Sequence, residues 1–519
     1  MYFDTDVELV KSFDDIVSKG TFMGLQPGKK TVHGMEYEVN PGLGLGSEPG
    51  VEVFKEIIEF YHQLHFVTGN GGQNIKTIVD YTTEILKKHG MLRDIYNFIG
   101  VFLLCALYFF ETPISLLGTQ LLIVLQIGIT LCFIMAASVH GRISYSKKVY
   151  PYTLMWIMMI PFFLYGLLHS EKMVVFRILF GIIVCLFLAT QDDWINNLKK
   201  MLLLFSGSAV FFTFFFWLIP SLYSYVVDFY GYYPPGTGQL KYGYRAGITA
   251  HYSQNGIFIA VFIMTLVTLI LAESARKKSR YTNRLRLIIA GIAFLAFLLN
   301  GKRGTLVWCI VAIILTWFVS TEQKSKFVTR LIIIACVSVV LLQFAVENIP
   351  SLNFIVERFS ELGSDNSSTD RFAMWGLAIL NFTKSPLLGI GFLNFREQYS
   401  TNLAAQFIRD LTDISSYRRL DAHNVYIQVL CEMGIIGFVL YIGAIILLLK
   451  YTIKALKYFS KTQEYQYKYA AMLSFCFQIF YLLYSLSGNC LYDMTFYLYI
   501  IAMAITGALN FRIDKQRLE

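Results

Sequence analysis

The stretch Asp421-Ala422-His423-Asn424-Val425-Tyr426-Ile427-Gln428-Val429-Leu430-Cys431-Glu432-Met433-Gly434-Ile435-Ile436-Gly437-Phe438-Val439-Leu440 passes within three residues from loop chemistry into an apolar run that continues to Lys450. A helix needs about 20 mostly apolar residues to cross a hydrocarbon layer of about 30 Å, so this run reads as a membrane span with His423 at headgroup level. Asn424, Gln428 and Glu432 recur every fourth position and form one polar stripe on a helix. Polar side chains at membrane depth face protein or water, so the stripe points into a bundle, where a basic group could pair with Glu432, a structural role ahead of a catalytic one. Gly434 and Gly437 offer a close approach for a neighbouring helix.

The rest of the chain agrees with a membrane reading. Of 519 residues, 55% are hydrophobic and only 15% charged, the balance of a polytopic membrane protein and not of a nucleic-acid binder or a soluble enzyme. The expected fold is all-α with about 12 transmembrane helices by the length rule, at 94–110, 114–137, 151–168, 173–190, 201–226, 254–272, 284–300, 304–320, 330–347, 424–449, 470–488 and 492–511. The second and fifth are expected to be kinked or partly re-entrant. Every even-numbered exit is basic, from Arg142, Lys147 and Lys148 to Arg512, Lys515 and Arg517. By the positive-inside bias both termini are then cytoplasmic. The expected organisation is a cytoplasmic piece at 1–92, helices 1–9 at 93–346, an extracytoplasmic loop at 347–423, helices 10–12 at 424–511, and a tail at 512–519. Cysteines sit mostly inside apolar runs without Cys-x-x-Cys spacing, as small membrane hydrophobes. The polar first ninety residues argue against a cleavable signal peptide.

Cations on the outer face run against that bias and call for a reason. Arg245 lies in the loop after the fifth span, Lys302 and Arg303 in the tight Asn300-Gly301-Lys302-Arg303-Gly304 connection, and Arg371, Arg418 and Arg419 in the long loop. Guanidinium groups grip phosphate oxygens with two parallel hydrogen bonds and stay charged. Gathered at headgroup level they suit a lipid-linked pyrophosphate; singly, each is as well explained by snorkelling or by a carboxylate partner. An imidazole beside them transfers protons near neutral pH without large tuning. The loop aromatics Trp375, Phe392, Phe395 and Tyr399 stack on sugar faces or, for most of them, pack the loop.

The first ninety residues read as a small α/β-like fragment, with a strand end carrying Asp4 and Asp6, a Gly/Pro-rich stretch from Asn40 to Gly50, and helices at about 51–63 and 75–89. Two carboxylates after a strand suit Mg or Mn against a sugar-nucleotide diphosphate. Tyr2 to Asp14, Phe22-Met23-Gly24, Asn40 to Gly46 and Glu84 to Gly90 together resemble the C-terminal part of DXD-type capsular and mannosyl sugar transferases. The nucleotide-binding strands that precede this part in the family are not expected in this chain. The fragment is therefore expected to be inactive alone, with Asp4 and Asp6 a vestigial metal site: either a fusion remnant or half of a pair with another chain.

Four motifs carry a second resemblance, over about residues 93–512. Asn300-Gly-Lys302-Arg303-Gly304, Arg371-x-x-x-Trp375, Pro386-Leu-Leu-Gly389-x-Gly391-x-x-x-Phe395 and His423-Asn424-x-Tyr426-x-x-x-x-x-Glu432-x-Gly434-x-x-Gly437 resemble, in order, the O-antigen ligase/polymerase superfamily. The resemblance implies a metal-independent, inverting glycosyl transfer from an undecaprenyl-pyrophosphate-linked glycan at the outer face of a bacterial plasma membrane. It implies His423 as catalytic base, and Arg303 and Arg371, with Arg245 and Lys302, as ligands of the donor pyrophosphate. Asn424, Tyr426, Glu432 and Trp375 are implied as supporting residues. Lys302 stands where the family often has Ser or Thr, which leaves open whether Lys302 or Arg303 holds phosphate. No cofactor is implied for the membrane part; the implied partners are the lipid-linked glycan, membrane lipid, a flippase and a chain-length regulator, with no nucleic acid. The capsule-type fragment puts a polysaccharide polymerase first and a ligase second. A polysaccharide or lipid transporter, with cations that only guide cargo, is the rival from another class.

Overall fold

The computed structural model describes residues 22–31, 34–46, 56–57, 59, 78–138, 146–168, 172–230, 243–274, 280–321, 324–325, 327–332, 366–398, 421–462 and 464–518, and structural statements below concern those residues. Two strands, β1 (Phe22–Thr31) and β2 (Gly34–Gly46), pair antiparallel with register shifts at Met23/Gly24 and Pro27/Lys30. The Gly/Pro-rich segment Asn40–Gly46 forms the end of β2; the irregular register accommodates its proline and glycines. Asp4 and Asp6 lie outside the described residues.

Everything else is helical. Nine helices among the described residues are long and apolar enough to cross a membrane: Leu92–Leu117, Thr119–Ser138, Tyr150–Leu168, Trp194–Leu218, Tyr252–Glu273, Tyr281–Asn300, Arg303–Ser320, Val425–Thr462 and Phe496–Arg517. The first is the C-terminal part of α1 (Ile78–Leu117), which continues the helix expected at 75–89 into the apolar segment. Its kink at Phe110 lies close to Pro113, which withholds an amide from the helical ladder. The second, α2 (Thr119–Ser138), therefore starts later than expected, after Gly118. The Tyr150–Leu168 span contains α3 (Tyr150–Met158) and α4 (Ile160–Tyr165). Then come α5 (Lys172–Leu188), α6 (Trp194–Leu218), α7 (Tyr223–Tyr230), α8 (Tyr252–Glu273), α9 (Arg280–Asn300) and α10 (Arg303–Ser320). The fifth span, expected at 201–226, ends early because Ile219-Pro220 breaks the helix before α7. Within the long loop lie α11 (Asn366–Lys384) and the short α12 (Asn394–Gln398). The chain closes with α13 (Val425–Thr462), α14 (Tyr465–Tyr484) and α15 (Phe496–Leu518). Only the first residues of the expected 330–347 span are described.

Two helices are central: 89% of the apolar window of α15 and 78% of that of α8 are buried, against 28–44% for the others. Hydrophobicity does not drive helices together inside lipid, so packing and polar links must hold them. One such link joins three helices. Thr506 of α15 bonds Thr452 of α13 at 2.7 Å and Ser474 of α14 at 2.9 Å, while the Gln478 amide donates to both Thr452 and Ser474. Ion pairs gather at one end of the bundle, where Arg93 meets Asp193, Lys148 meets Asp514, and Tyr467 donates to Asp192.

At the other end α13 is broken at Gly434 (φ 63°, ψ −167°), and the loop segment Pro386–Gly391 closes the break. Ile435 and Ile436 donate their amides to the Pro386 and Leu387 carbonyls at 2.9 and 3.2 Å; Ile390 and Gly391 donate to Cys431 and Glu432 at 3.0 and 2.9 Å. Backbone groups freed inside a membrane helix need protein partners, because lipid offers none. The contact is possible only without side chains. A Cβ on Gly434 would stand 2.3 Å from the Leu387 carbonyl oxygen, and one on Gly389 2.3 Å from the Glu432 carbonyl carbon. Both residues also have left-handed φ. Gly434→Ala and Gly389→Ala should each cost about 3 kcal/mol or more, combining left-handed strain with backbone overlap. Gly128→Ala, with no atom within 4 Å of the new methyl, should be neutral. Thermal unfolding of the purified protein in one detergent compares the three.

Candidate functional site

The clasp at Gly434 places the loop so that Arg396, Trp375 and Gln428 surround the turn Asp421–Asn424. Arg396 grips Asp421 through two bonds, Nε to Oδ1 at 2.6 Å and NH2 to Oδ2 at 2.5 Å. The Gln428 side chain donates to Asp421 at 2.9 Å and accepts the Ala422 amide at 2.9 Å. The Trp375 indole donates to the Ala422 carbonyl at 2.9 Å. Asn424 caps α13, its Oδ1 accepting the amides of Tyr426 and Ile427 at 3.1 and 3.2 Å. The Val425 amide donates to the Ser485 carbonyl at 2.9 Å. His423, half-buried, is thus held on both sides by bonded neighbours.

Its backbone is left-handed, with φ 52°. A residue with a side chain gives up about 1–2 kcal/mol in that conformation, which glycine would avoid. Such strain persists where the surroundings impose it, and it concentrates at functional positions. Burial lowers the imidazole's proton affinity below the ordinary histidine value. The positive charges of Arg371, Lys302 and Arg396 lower it further, and only Asp421 acts the other way. Those three cations therefore lie within electrostatic reach of His423.

The cations themselves are held by a second web built on Asn300. Its side-chain amide donates to the carbonyls of Arg245 and Tyr252 at 2.6 and 2.8 Å, and its Oδ1 accepts the Lys302 amide at 3.2 Å. Arg245 returns a bond from Nε to the Asn300 carbonyl at 3.0 Å. The Tyr252 ring then lies under two cations, with the Arg245 guanidinium 4.7 Å and the Lys302 ammonium 5.3 Å from its centroid. Arg303 opens α10 beside Lys302, and the Gly304 that follows lies against Ser487, in the segment that also receives the Val425 amide. Arg371 sits in the second turn of α11, within electrostatic reach of Tyr484 as well as His423.

One expectation needs correcting, that for Glu432, while Phe392 and Phe395 pack the loop as expected for most of its aromatics. Glu432 does not pair with a cation among the described residues. Its carboxylate accepts the Tyr492 hydroxyl at 2.8 Å, the Gln428 amide at 3.2 Å and the Phe395 backbone amide at 3.3 Å, so it ties the loop and the α14–α15 connection to α13. Phe392 and Phe395 are fully buried; Phe392 stacks on Tyr492 with centroids 5.5 Å apart, and neither presents a face to a sugar. Tyr426 points its hydroxyl at the Leu482 carbonyl, 2.8 Å away, as a packing link. Tyr399, Arg418 and Arg419 lie outside the described residues. Sequence reasoning missed Arg396, Asp421 and Asn300 as site builders. The outer-face bias that singled out Arg371 applies equally to Arg396, whereas the Asn300 role depends on contacts 48 and 55 residues away in the chain.

A model of the O-antigen ligase family matches residues 288–442. That stretch holds the Asn300–Gly304 connection, Arg371, the Pro386–Gly391 clasp and His423. No curated protein matches the chain. The match supports the O-antigen ligase/polymerase superfamily, and with the multi-span helical architecture it fits a membrane enzyme that handles glycans.

Asp421→Asn should destabilise the protein by about 3 kcal/mol by leaving the Arg396 guanidinium without its counter-charge, and should speed hydrogen exchange at the Ala422 and Val425 amides. His423→Gly should be more stable than His423→Ala by about 1 kcal/mol, because only the former relieves the left-handed strain. Thermal unfolding and peptide-resolved exchange measure both.

Proposed function

We propose that this protein transfers a glycan from a polyprenyl-pyrophosphate carrier to a hydroxyl of an acceptor, as an O-antigen ligase does, on the outer side of a bacterial plasma membrane. The observation that carries the reading is the imidazole of a strained, fully braced His423 within electrostatic reach of Arg371 and Lys302, inside the stretch that matches the ligase family. The basic end of the bundle, with Arg93, Lys148 and Arg512, is then cytoplasmic, and the twelve-span count with both termini inside goes with it.

In this reading Arg371, Arg303 and Lys302, with Arg245 assisting, bind the diphosphate of the donor. The acceptor oxygen attacks the anomeric carbon from the face opposite the diphosphate. The bond from that carbon to the phosphate oxygen breaks as the new glycosidic bond forms, with inversion. His423 takes the hydroxyl proton, and the cations stabilise the charge gathering on the leaving diphosphate, an interaction stronger in the transition state than before it. A neutral imidazole is needed for this, and burial, followed by the nearby cations, lowers the affinity of His423 for a proton.

A polymerase differs only in using a second lipid-linked repeat as acceptor. The capsule-type resemblance of the first ninety residues favours it, and the ligase description of the matched family favours transfer to a different acceptor; the matched stretch contains the chemistry, so the ligase reading comes first.

Purified full-length protein in nanodiscs, supplied with a lipid-linked oligosaccharide, should form product only when a second hydroxyl acceptor is added. Chain growth from the lipid-linked repeats alone would instead identify a polymerase. His423→Ala and Arg371→Ala should each lower kcat by about 100-fold or more, the usual size for a general base or a preorganised charge; retained turnover in His423→Ala would sink the enzymatic assignment and favour transport. Because the folded imidazole binds its proton more weakly than usual, kcat/KM should hold as pH falls past about 6.5 and drop only below it. An acid limb at or above that value would contradict His423 as the base.

A further inference from the structure

Beside the cationic web, and distinct from it, lies a cavity of about 520 Å³ among the ends of α1, α5, α8, α12 and α14 and the Tyr492–Met494 segment. Its volume is within the range of small-molecule sites, and polar groups make up much of its wall. Thr112, Ser115, Ser253, Gln254 and Asp493 all line it.

Charge decides what it can hold. The two guanidinium groups in its wall are already bound to carboxylates: Arg177 to Glu111, with Nε at 3.2 Å from Oε1, and Arg396 to Asp421. Arg177 also donates to the Tyr492 carbonyl at 3.2 Å. His251 adds no charge, since burial and the nearby Lys302 and Arg245 lower its pKa to about 4. Its Nδ1 accepts the Ser253 amide at 3.1 Å, so its proton resides on Nε2. Asp493 is buried, with its pKa raised to about 6 by that burial. The lining is therefore balanced or slightly acidic and unsuited to a diphosphate, and it carries neutral polar groups, several of them already joined to one another, as Gln254 is to Thr112 and Ser115 to the Thr112 carbonyl. It adjoins the His423 site directly: Arg396 is shared between the cavity wall and the Asp421 turn, and Tyr484 lies within reach of the Arg371 charge.

We propose that this cavity seats an uncharged, hydroxyl-rich saccharide ring, and that this ring belongs to the acceptor. The inference rests on the glycosyl-transfer reading only for the second clause. Diphosphate and acceptor are then sorted by charge, the former to the Tyr252–Arg371 web and the latter to the neutral cavity, with the Arg396–Asp421 pair as the partition between them. A cavity of this size accommodates one or two sugar rings, so the contacts select the terminal residues of the acceptor rather than a long chain.

The test uses full-length protein in nanodiscs and saturation-transfer NMR with the methyl glycosides of glucose, galactose and N-acetylglucosamine. At least one glycoside should receive saturation from the wild type and equally from Gly128→Ala, which lies outside the cavity. Met173→Trp, which fills the cavity, should abolish the signal. Gln254 already donates its amide nitrogen to Thr112 at 3.2 Å and to Met494 Sδ at 3.0 Å, so its carbonyl oxygen is the group it offers a sugar hydroxyl. Gln254→Leu keeps the volume but removes that acceptor and should weaken binding by about 10-fold, the effect of one lost buried hydrogen bond, and it decides the matter if Met173→Trp does not fold. No glycoside bound by the wild type, or binding unchanged in Gln254→Leu, overturns the proposal. In transfer assays Gln254→Leu should raise KM for the acceptor and leave KM for the lipid-linked donor unchanged. A rise in donor KM instead overturns the acceptor assignment. Saccharide binding by a wild type that transfers nothing would overturn the glycosyl-transfer reading while supporting the saccharide site.

Discussion

A membrane helix cannot leave its backbone unpaired, and in this protein that constraint builds the site. The break in α13 at Gly434 frees amides and carbonyls in a region where lipid supplies no partners. The loop segment Pro386–Gly391 supplies them through four backbone bonds, and the two chains approach so closely that only glycine fits at Gly389 and Gly434. Everything the loop then carries is placed by that clasp. Phe392 packs under Tyr492, Phe395 donates its amide to Glu432, and Arg396 reaches Asp421.

The same economy appears around His423. Its side chain has no hydrogen bond to a described residue, yet each neighbour in the turn has one or more: Asp421, Ala422, Asn424 and Val425 are bonded to α12, α11, α13 and the segment after α14. The structure spends its bonds on the backbone and leaves the imidazole to its electrostatic surroundings. A ring held this way is positioned without being neutralised. Its proton affinity is then set by burial and by the cations opposite, not by a bonded carboxylate.

Charge is partitioned at this end of the bundle. Lys302 and Arg245 share the face of Tyr252, whose ring attracts cations. Arg177 and Arg396, a short distance away, are held by Glu111 and Asp421 and are cancelled. Cations with an aromatic partner and arginines with a carboxylate partner thus lie side by side. Counting arginines along the chain does not separate them.

Much of the fold was legible before any coordinates. Apolar length marks a span because the hydrocarbon thickness is fixed, and the spans near 150–168, 254–272 and 304–320 fall close to their observed helices for that reason. Boundaries slipped where a local residue overrode the average, as at Pro113 and at Ile219-Pro220. At the site, His423, Arg371 and Lys302 could be singled out because a polar or cationic residue at a membrane edge is conspicuous in one dimension. Whether a cation is met by an acid, an aromatic ring or nothing charged depends on residues distant in the chain, and there the sequence was silent or misleading: Glu432 could have paired with a cation and instead meets a tyrosine, a glutamine and a backbone amide. Solvent thickness acts on every residue alike and leaves a periodic record in the sequence. Pairing among side chains is decided by which helix ends meet, and only the folded bundle brings those together.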